Sequence, residues 1–108
     1  MKATLGTVSR GAVFYRYEDG TYAIVFPDLN DLATDAENLE DAEYQAQSLL
    51  ASYFYVAYKN GDDVPAPYLA YDPSDDFDPN AEENAGIVDY DVHRIEVNVG
   101  EFAQQHNW

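Results

Sequence analysis

Two kinds of hydrophobic pattern alternate along the chain, one typical of strands and one typical of a helix. Residues 8–17 are rich in β-forming side chains, and the turn sequence Glu18-Asp19-Gly20-Thr21 follows them. Because Asp-Gly between two apolar runs favours a hairpin, we expect residues 21–26 to return as a second strand. Pro27 ends that strand because it has no N–H to donate. Residues 32–35 are expected to form a short third strand.

A long helix is predicted next. Asn38 is a favourable N-cap with Asp41 three residues later, and Asn60-Gly61 supplies a left-handed stop. Between these ends, apolar side chains recur at helical spacing and predict one buried stripe. Its members are Leu39, Ala42, Ala46, Leu49, Leu50, Tyr53 and Val56. Residues 92–99 alternate again and predict a closing strand, and residues 100–106 are expected to add a helical turn anchored by Phe102.

These elements predict an α+β fold of order β-β-β-α-β, with a small antiparallel-rich sheet and one long helix on one face. A length of 108 residues allows a single domain with one modest core. We divide it into a β-β-β-α core at 1–70, an acidic loop or arm at 71–91, and a closing strand with a short helical turn at 92–108. The chain has no cysteine, which excludes disulfides and thiolate metal sites. It also has neither a long apolar run nor a signal-peptide pattern, so we expect a cytoplasmic protein.

Charge changes this picture most, because 21 acidic residues face only five Lys and Arg, giving a net charge of −16. Such a field repels phosphate backbones, whose binding depends on Lys and Arg. It attracts basic proteins and speeds their encounter. The plainer explanation is that acidity only keeps the protein soluble or reflects a salt-tolerant host. We interpret it as favouring a basic protein partner, with no nucleic acid bound through this domain and no membrane association.

Catalytic patterns are weak. Only His93 and His106 offer an imidazole base, and His93 lies in a predicted strand, where a structural role is favoured. The first strand has no acid at its centre, which disfavours a two-metal nuclease. Acids within residues 72–83 have the spacing of a calcium-binding loop, but Phe77 replaces the glycine that its sharp turn needs. We predict no catalytic residue, no metal site and no cofactor.

Several short motifs follow one another in a characteristic order. A strand and hairpin, Phe14 to Gly20, precede the segment Phe26-Pro27-Asp28-Leu29, and Pro65-Ala66-Pro67 follows the helix. In this order and spacing, residues 12–68 resemble the HicB antitoxin family, partners of the small HicA toxins that cleave messenger RNA. The resemblance implies a partial ribonuclease-H-like domain that has kept the sheet and lost the chemistry. It also implies a toxin that presents a basic surface to RNA.

The chain departs from the family pattern at two places. Asn30-Asp31 replaces the usual Pro-Gly turn, so this corner is expected to bend differently. Most members also continue into a ribbon–helix–helix or helix-turn-helix domain, whereas this sequence stops at Trp108. We therefore expect no DNA-binding domain in these residues, and repression of the protein's own operon is not carried over.

The resemblance and the charge together predict an antitoxin that masks the RNA-binding and active surface of a small basic toxin. The residues expected to contact that partner lie at the end of the second strand and in the acidic arm: Asp28, Asn30, Asp31, Tyr71, Asp72, Asp75, Asp76, Phe77 and Asp78. Exposed tyrosines and an unpaired edge strand also make a homodimer a prediction.

Two other functions stay open at this stage. An acidic mimic of nucleic acid would inhibit a nuclease or a restriction system from a mobile element. A residual metal-dependent ribonuclease would retain some of the ancestral chemistry. The first predicts acids spread like phosphates over a broad face, and the second predicts activity with Mg²⁺ or Mn²⁺ that depends on Asp28 or Asp72.

Overall fold

The computed structural model describes residues 1–67 and 86–108, which form four strands, two helices and a 3-10 turn. The strands are β1 (Thr7–Tyr17), β2 (Tyr22–Phe26), β3 (Leu32–Ala36) and β4 (Ile87–Asn98), and the helices are α1 (Leu39–Asn60) and α2 (Val99–Gln105). The 3-10 turn, Pro27–Leu29, joins β2 to β3. The predicted α+β class and the order β-β-β-α-β are confirmed, with α2 as the expected terminal turn.

All four strands lie antiparallel in one sheet of order β3-β2-β1-β4. β1 is long enough to pair with β4 over its whole length, whereas β2 pairs only with residues 13–16. The first half of β1 therefore has a strand on one side only, and the 3-10 turn lies on the other side, in contact with it. β3 and β4 are the two edges of the sheet within the described residues.

One face of the sheet is covered by α1. Large side chains from both layers fill the interface, and Phe14, Phe26 and Phe54 are almost fully buried. Alanines on α1 let the helix approach the sheet closely, since Ala42 and Ala46 are completely buried. Each buried aromatic side chain contributes about 2–3 kcal/mol through removal of apolar surface from water.

Both ends of α1 form as the sequence predicts. Asn38 Oδ1 accepts a hydrogen bond of 2.8 Å from Asp41 N, which satisfies one of the first free N–H groups of the helix. Asp41 Oδ2 accepts in turn from the backbone N–H of Glu37. At the other end Gly61 has φ of 71°, and its N–H donates to the last turn. These local contacts fix where the helix begins and ends.

The buried stripe of α1 is rotated from its predicted position. Leu39 and Val56 are 46% and 55% exposed, whereas Ala51, Phe54 and Ala57 are buried. The core stripe follows the spacing 42, 46, 50, 54 and 57, and packs on the sheet. The predicted stripe was displaced because α1 carries more apolar positions than one face of the sheet can cover, so the pattern alone does not fix the rotation of the helix.

The closing strand is longer than predicted. It begins at Ile87 rather than at residue 92, so the last part of the predicted acidic arm lies in β4. Asp89 and Asp91 belong to this strand because their backbone pairs with β1 while their side chains stay in solvent. α2 then packs against α1, with Phe102 buried as its anchor. Neither helix in the described part of the chain is long and apolar enough to cross a membrane.

Candidate partner-binding surface

The corner, residues 28–31, joins β2 to β3 and was predicted to contact a partner. Its backbone is unusual because Asn30 and Asp31 both have φ of 59°, in the left-handed region. Leu29 is buried and anchors the corner to the core, while Asn30 and Asp31 are exposed. The structure therefore presents two of the three predicted side chains of this corner to solvent.

Asp28 differs from that prediction, because its side chain turns inward. It is only 8% exposed, and its Oδ2 lies 3.7 Å from Nε of the buried Arg10. Arg10 Nη1 also donates to the carbonyl of Ser9, and Nη2 donates to the carbonyl of Pro65. The guanidinium lies 5.1 Å above the ring of Phe54. Asp28 thus holds the corner against β1, and it offers no exposed carboxylate.

The edge of β3 follows directly after the corner and borders a cavity of about 310 Å³. We call this the Leu32 cavity, because Leu32 at the start of β3 forms one wall. The opposite wall belongs to the second half of α1 and includes Leu49, Tyr53 and Val56. Leu49 and Tyr53 are half-buried and pack against the margin of the core, whereas Val56 is 55% exposed. Asp62 and Asp63 line the cavity beyond the end of the helix.

A second cavity of about 410 Å³ lies at the other end of β3, and we call it the Asp35 cavity. Its carboxylates are Asp35, Glu37 and Asp41, and tyrosine rings from β1 and β2 form the remaining wall. The side chain of Asp41 is held in place by Glu37 N and by Gln45 Nε2. Residues of α1 that line the two cavities lie on one face of the helix. Among them are residues 41, 49, 53 and 56, which are separated by eight, four and three positions.

Carboxylates predominate along this edge, although Lys2 lies next to Asp62 and Asp63 in an adjoining cavity and pairs with Asp63 through an isolated β-bridge. Five carboxylates line the two cavities, and no Lys or Arg is among the described residues that line them. A cavity of about 370 Å³ between the first half of β1 and Asp28 is different, since it is lined by both Arg10 and Arg94. Exposed acids, apolar side chains and an unpaired strand edge occur together beside β3 with no Lys or Arg in the two cavity linings, whereas at β4 the same features lie beside Arg16 and Arg94.

Most of the predicted contact residues of the acidic arm lie outside the part of the chain that the structure describes. Tyr71, Asp72, Asp75, Asp76, Phe77 and Asp78 lie outside the described residues, as does the calcium-loop pattern of residues 72–83. Of the arm's acids in β4, Asp89 lies 3.9 Å from Arg16, and Asp91 lies 3.6 Å from His93. These exposed pairs contribute at most about 1 kcal/mol each. A contact between the arm and a partner stays a prediction.

Both histidines are engaged in packing. His93 stacks on Phe14 with ring centroids 4.3 Å apart, as expected for a structural residue in a strand. His106 stacks on Phe102, and its Nδ1 and Nε2 lie 2.8 Å from the Phe102 carbonyl and 2.9 Å from the Tyr44 hydroxyl. Neither ring has a carboxylate or hydroxyl arrangement typical of a nucleophilic site. No cluster of three metal-binding side chains occurs in residues 1–67 and 86–108.

The sequence alone did not identify the β3 edge as a site. Leu49, Tyr53 and Val56 were assigned to the core, and Asp35, Asp62 and Asp63 were not singled out. The available signal was the excess width of the apolar stripe on α1. An apolar stripe that is wider than one face of the sheet can cover predicts a second apolar contact.

Comparisons with known proteins identify one matching family and one similar fold. A family model described as a HicB-like antitoxin of bacterial toxin–antitoxin systems matches residues 12–74, which include the corner, β3 and α1. Among solved structures, a toxin–antitoxin complex from Streptococcus pneumoniae has a similar fold, with a TM-score of 0.69 and 22% sequence identity over 89% of this chain and 72% of that chain. No curated protein matches the chain.

Proposed function

The chain belongs to the HicB-like antitoxins of bacterial toxin–antitoxin systems, and we propose from this membership that it neutralises a small basic HicA-like toxin that cleaves messenger RNA. In this proposal the domain binds the toxin in the cytoplasm and covers the surface with which the toxin holds RNA. In this role the domain performs no catalysis and uses no cofactor.

The observation that carries the proposal is the lining of the two cavities beside β3, which contains five carboxylates and no Lys or Arg among the described residues. A toxin that binds RNA must present Lys and Arg to phosphates. The same basic surface is attracted to the carboxylates of the Leu32 and Asp35 cavities. An acidic protein bound there excludes RNA by occupying its site and by reversing the local potential.

Charge alone does not supply tight binding. Exposed ion pairs mainly raise the association rate and fix orientation, whereas buried apolar contacts hold the complex together. The Leu32 cavity offers such contacts, because Val56 and the half-buried Leu49 and Tyr53 present apolar surface next to the acids. The proposed interface thus combines steering at its rim with apolar contact at its centre.

Calorimetry with a purified HicA-like toxin tests the proposal. We expect one-to-one binding of the two domains whose affinity falls as salt concentration rises. Adding the domain to the toxin should also stop cleavage of a model RNA in the same molar ratio. The absence of binding, or cleavage that continues while the domain is bound, would contradict the proposal.

Self-association through a sheet edge stays a prediction. Two copies of a chain with a net charge of −16 repel each other, so the proposal uses the monomeric domain as the toxin-binding unit. Sedimentation at several salt concentrations measures this directly. A dimer that strengthens with salt would indicate that charge repulsion is the force that keeps the copies apart.

A further inference from the structure

We propose that the free edge of β3 receives an extended segment of the basic toxin as a fifth strand of the sheet. The apolar side chains of that segment enter the Leu32 cavity, and its Lys or Arg side chains meet the acids at both ends of β3. This inference rests on the proposed function and names the element and the binding mode through which it acts.

The backbone of β3 is paired with another strand on one side only within the described residues. Residues 32–36 pair with β2 on one side, from Leu32 opposite Phe26 to Ala36 opposite Tyr22. On the other side no strand pairs with β3 within the described residues. Alternate N–H and C=O groups along such an edge lack a strand partner and are a template for another chain. Addition of a strand satisfies them and gives affinity through main-chain hydrogen bonds.

Apolar side chains of α1 lie next to this edge of β3. An added strand lies about 4.8 Å beyond β3, which extends the sheet along the flank of α1. The side chains of Leu49, Tyr53 and Val56 line the cavity on this flank, and Val56 is 55% exposed. An added strand covers these groups in the way that the other strands cover the core stripe of α1. The surplus apolar stripe of the helix thereby acquires a partner.

Acidic side chains lie near both ends of β3, at a spacing that one short strand can span. Asp62 and Asp63 lie at the Leu32 end of β3, and Asp35, Glu37 and Asp41 lie at its other end. A strand of five residues spans about 17 Å, so one short extended segment reaches both groups of acids. The matching segment has apolar side chains at its centre and a basic residue towards each end. A second copy of this chain fits poorly, since it would bring more acids to the same edge.

The other sheet edge, β4, also has exposed acids and the exposed valines Val88 and Val92, but cationic side chains lie among them. β4 carries the exposed Arg94, whose Nη2 donates to Ser9 Oγ at 3.1 Å. Its exposed acids Asp89 and Asp91 already lie near Arg16 and His93. β4 therefore serves as an internal control for binding at β3.

Two pairs of variants test the proposal in the whole chain, with calorimetry against an inactive variant of the HicA-like toxin. Val56→Arg places a positive charge at the Leu32 cavity, and Val92→Arg makes the same change at an exposed valine of β4. Asp35→Lys reverses a charge beside β3, and Glu96→Lys does so on β4. We expect binding to weaken about tenfold or more for Val56→Arg and Asp35→Lys, and by less than about twofold for the β4 variants.

Hydrogen exchange supplies a readout of the binding mode. In the complex, backbone amides of residues 32–36 should gain protection, because alternate N–H groups of the edge become hydrogen-bonded. Amides of Ile87–Asn98 should change little. Circular dichroism of each free variant checks that the fold is kept, and only variants that melt within a few degrees of the unaltered chain enter the comparison.

The outcomes separate this inference from the proposed function. If the unaltered chain binds toxin while the β3 variants bind equally well and residues 32–36 gain no protection, strand addition is wrong and the antitoxin proposal stands. If the unaltered chain does not bind toxin, both fail. If protection at β3 appears in the free protein as concentration rises, and Val56→Arg abolishes it, a second copy occupies the edge and the inference is overturned.

Discussion

Arg10 Nε lies 3.7 Å from Asp28 Oδ2, and the two side chains are only 3% and 7% exposed. This distance is too long for a hydrogen bond, so the pair is held by charge within a buried site. It connects β1 to the 3-10 turn at the place where β2 no longer pairs with β1. The corner and the start of β3 are therefore positioned by a charged contact in the interior.

Removal of one partner from this pair should destabilise the fold. We expect Asp28→Ala to lower the free energy of unfolding by about 3 kcal/mol, because the guanidinium of Arg10 is left buried beside an empty site. Asp31→Asn removes the same charge at an exposed neighbour, and because asparagine tolerates the left-handed backbone there, it should cost less than about 0.5 kcal/mol. Urea unfolding of both variants measures the difference. Equal values would show that the buried pair does not hold the corner.

The end of α1 depends on a backbone conformation that most residues avoid. Gly61 has φ of 71°, and a Cβ added there would meet nothing within 4 Å. We expect Gly61→Ala to cost about 1–2 kcal/mol through backbone strain alone. Gly61→Asn should cost less, because asparagine tolerates the left-handed region. Thermal melts of the two variants check the order, and an alanine variant as stable as the unaltered chain would contradict it.

The hairpin between β1 and β2 carries a titrating group. The hydroxyl and backbone N–H of Thr21 both donate to Asp19 Oδ1, at 2.6 and 2.9 Å, and hold the pKa of Asp19 below its ordinary value. Because the folded pKa is depressed, the contribution of Asp19 is present above about pH 3.9 and is lost as the pH falls through the folded pKa.

Thr21→Val removes the hydroxyl, so we expect the pKa of Asp19 to rise towards its ordinary value. The free energy of unfolding should then fall less as the pH is lowered. Titration of the Asp19 carboxyl carbon by NMR measures the shift. Thr21→Ser keeps a hydroxyl and serves as the control. If the valine variant titrates like the serine variant, the side-chain hydrogen bond is not the main cause.

The acids of the Leu32 cavity should affect the rate of toxin binding more than its persistence. We expect the double variant Asp62→Asn/Asp63→Asn to lower the association rate severalfold at low salt, with a difference that disappears near ~0.5 M salt. Asp89→Asn/Asp91→Asn removes the same charge from β4 and should have a smaller effect. Stopped-flow mixing with the toxin compares the two, and equal rates would show that only net charge matters.

Local signals predicted the secondary structure well. The Asp19-Gly20 hairpin, the Asn38 cap and the Gly61 stop each act within a few residues, so the bounds of β2, β3 and α1 were predicted closely. The start of β4 was missed because its first residues are held by pairing with β1. That long-range contact leaves no clear strand pattern in residues 87–91 themselves, whereas residues 92–98 do alternate.

The candidate surface was less predictable for a similar reason. Which apolar residues of α1 face the sheet depends on the rotation of the helix, and a stripe of surplus width leaves this rotation open. The inward position of Asp28 depends on Arg10, which the sequence presents as an ordinary strand residue. Burial of a charged pair is decided by tertiary packing, and neither residue type signals it.

The left-handed pair at the corner has a practical consequence. Glycine adopts the φ of 59° found at Asn30 and Asp31 without steric cost, so each side chain can be deleted to glycine while the loop keeps its path. The strain that glycine relieves and the freedom that it adds to the unfolded chain are both about 1 kcal/mol, and they nearly cancel. The contribution of the Asn30 and Asp31 side chains to partner binding can therefore be measured one at a time with glycine variants that keep the backbone of the corner.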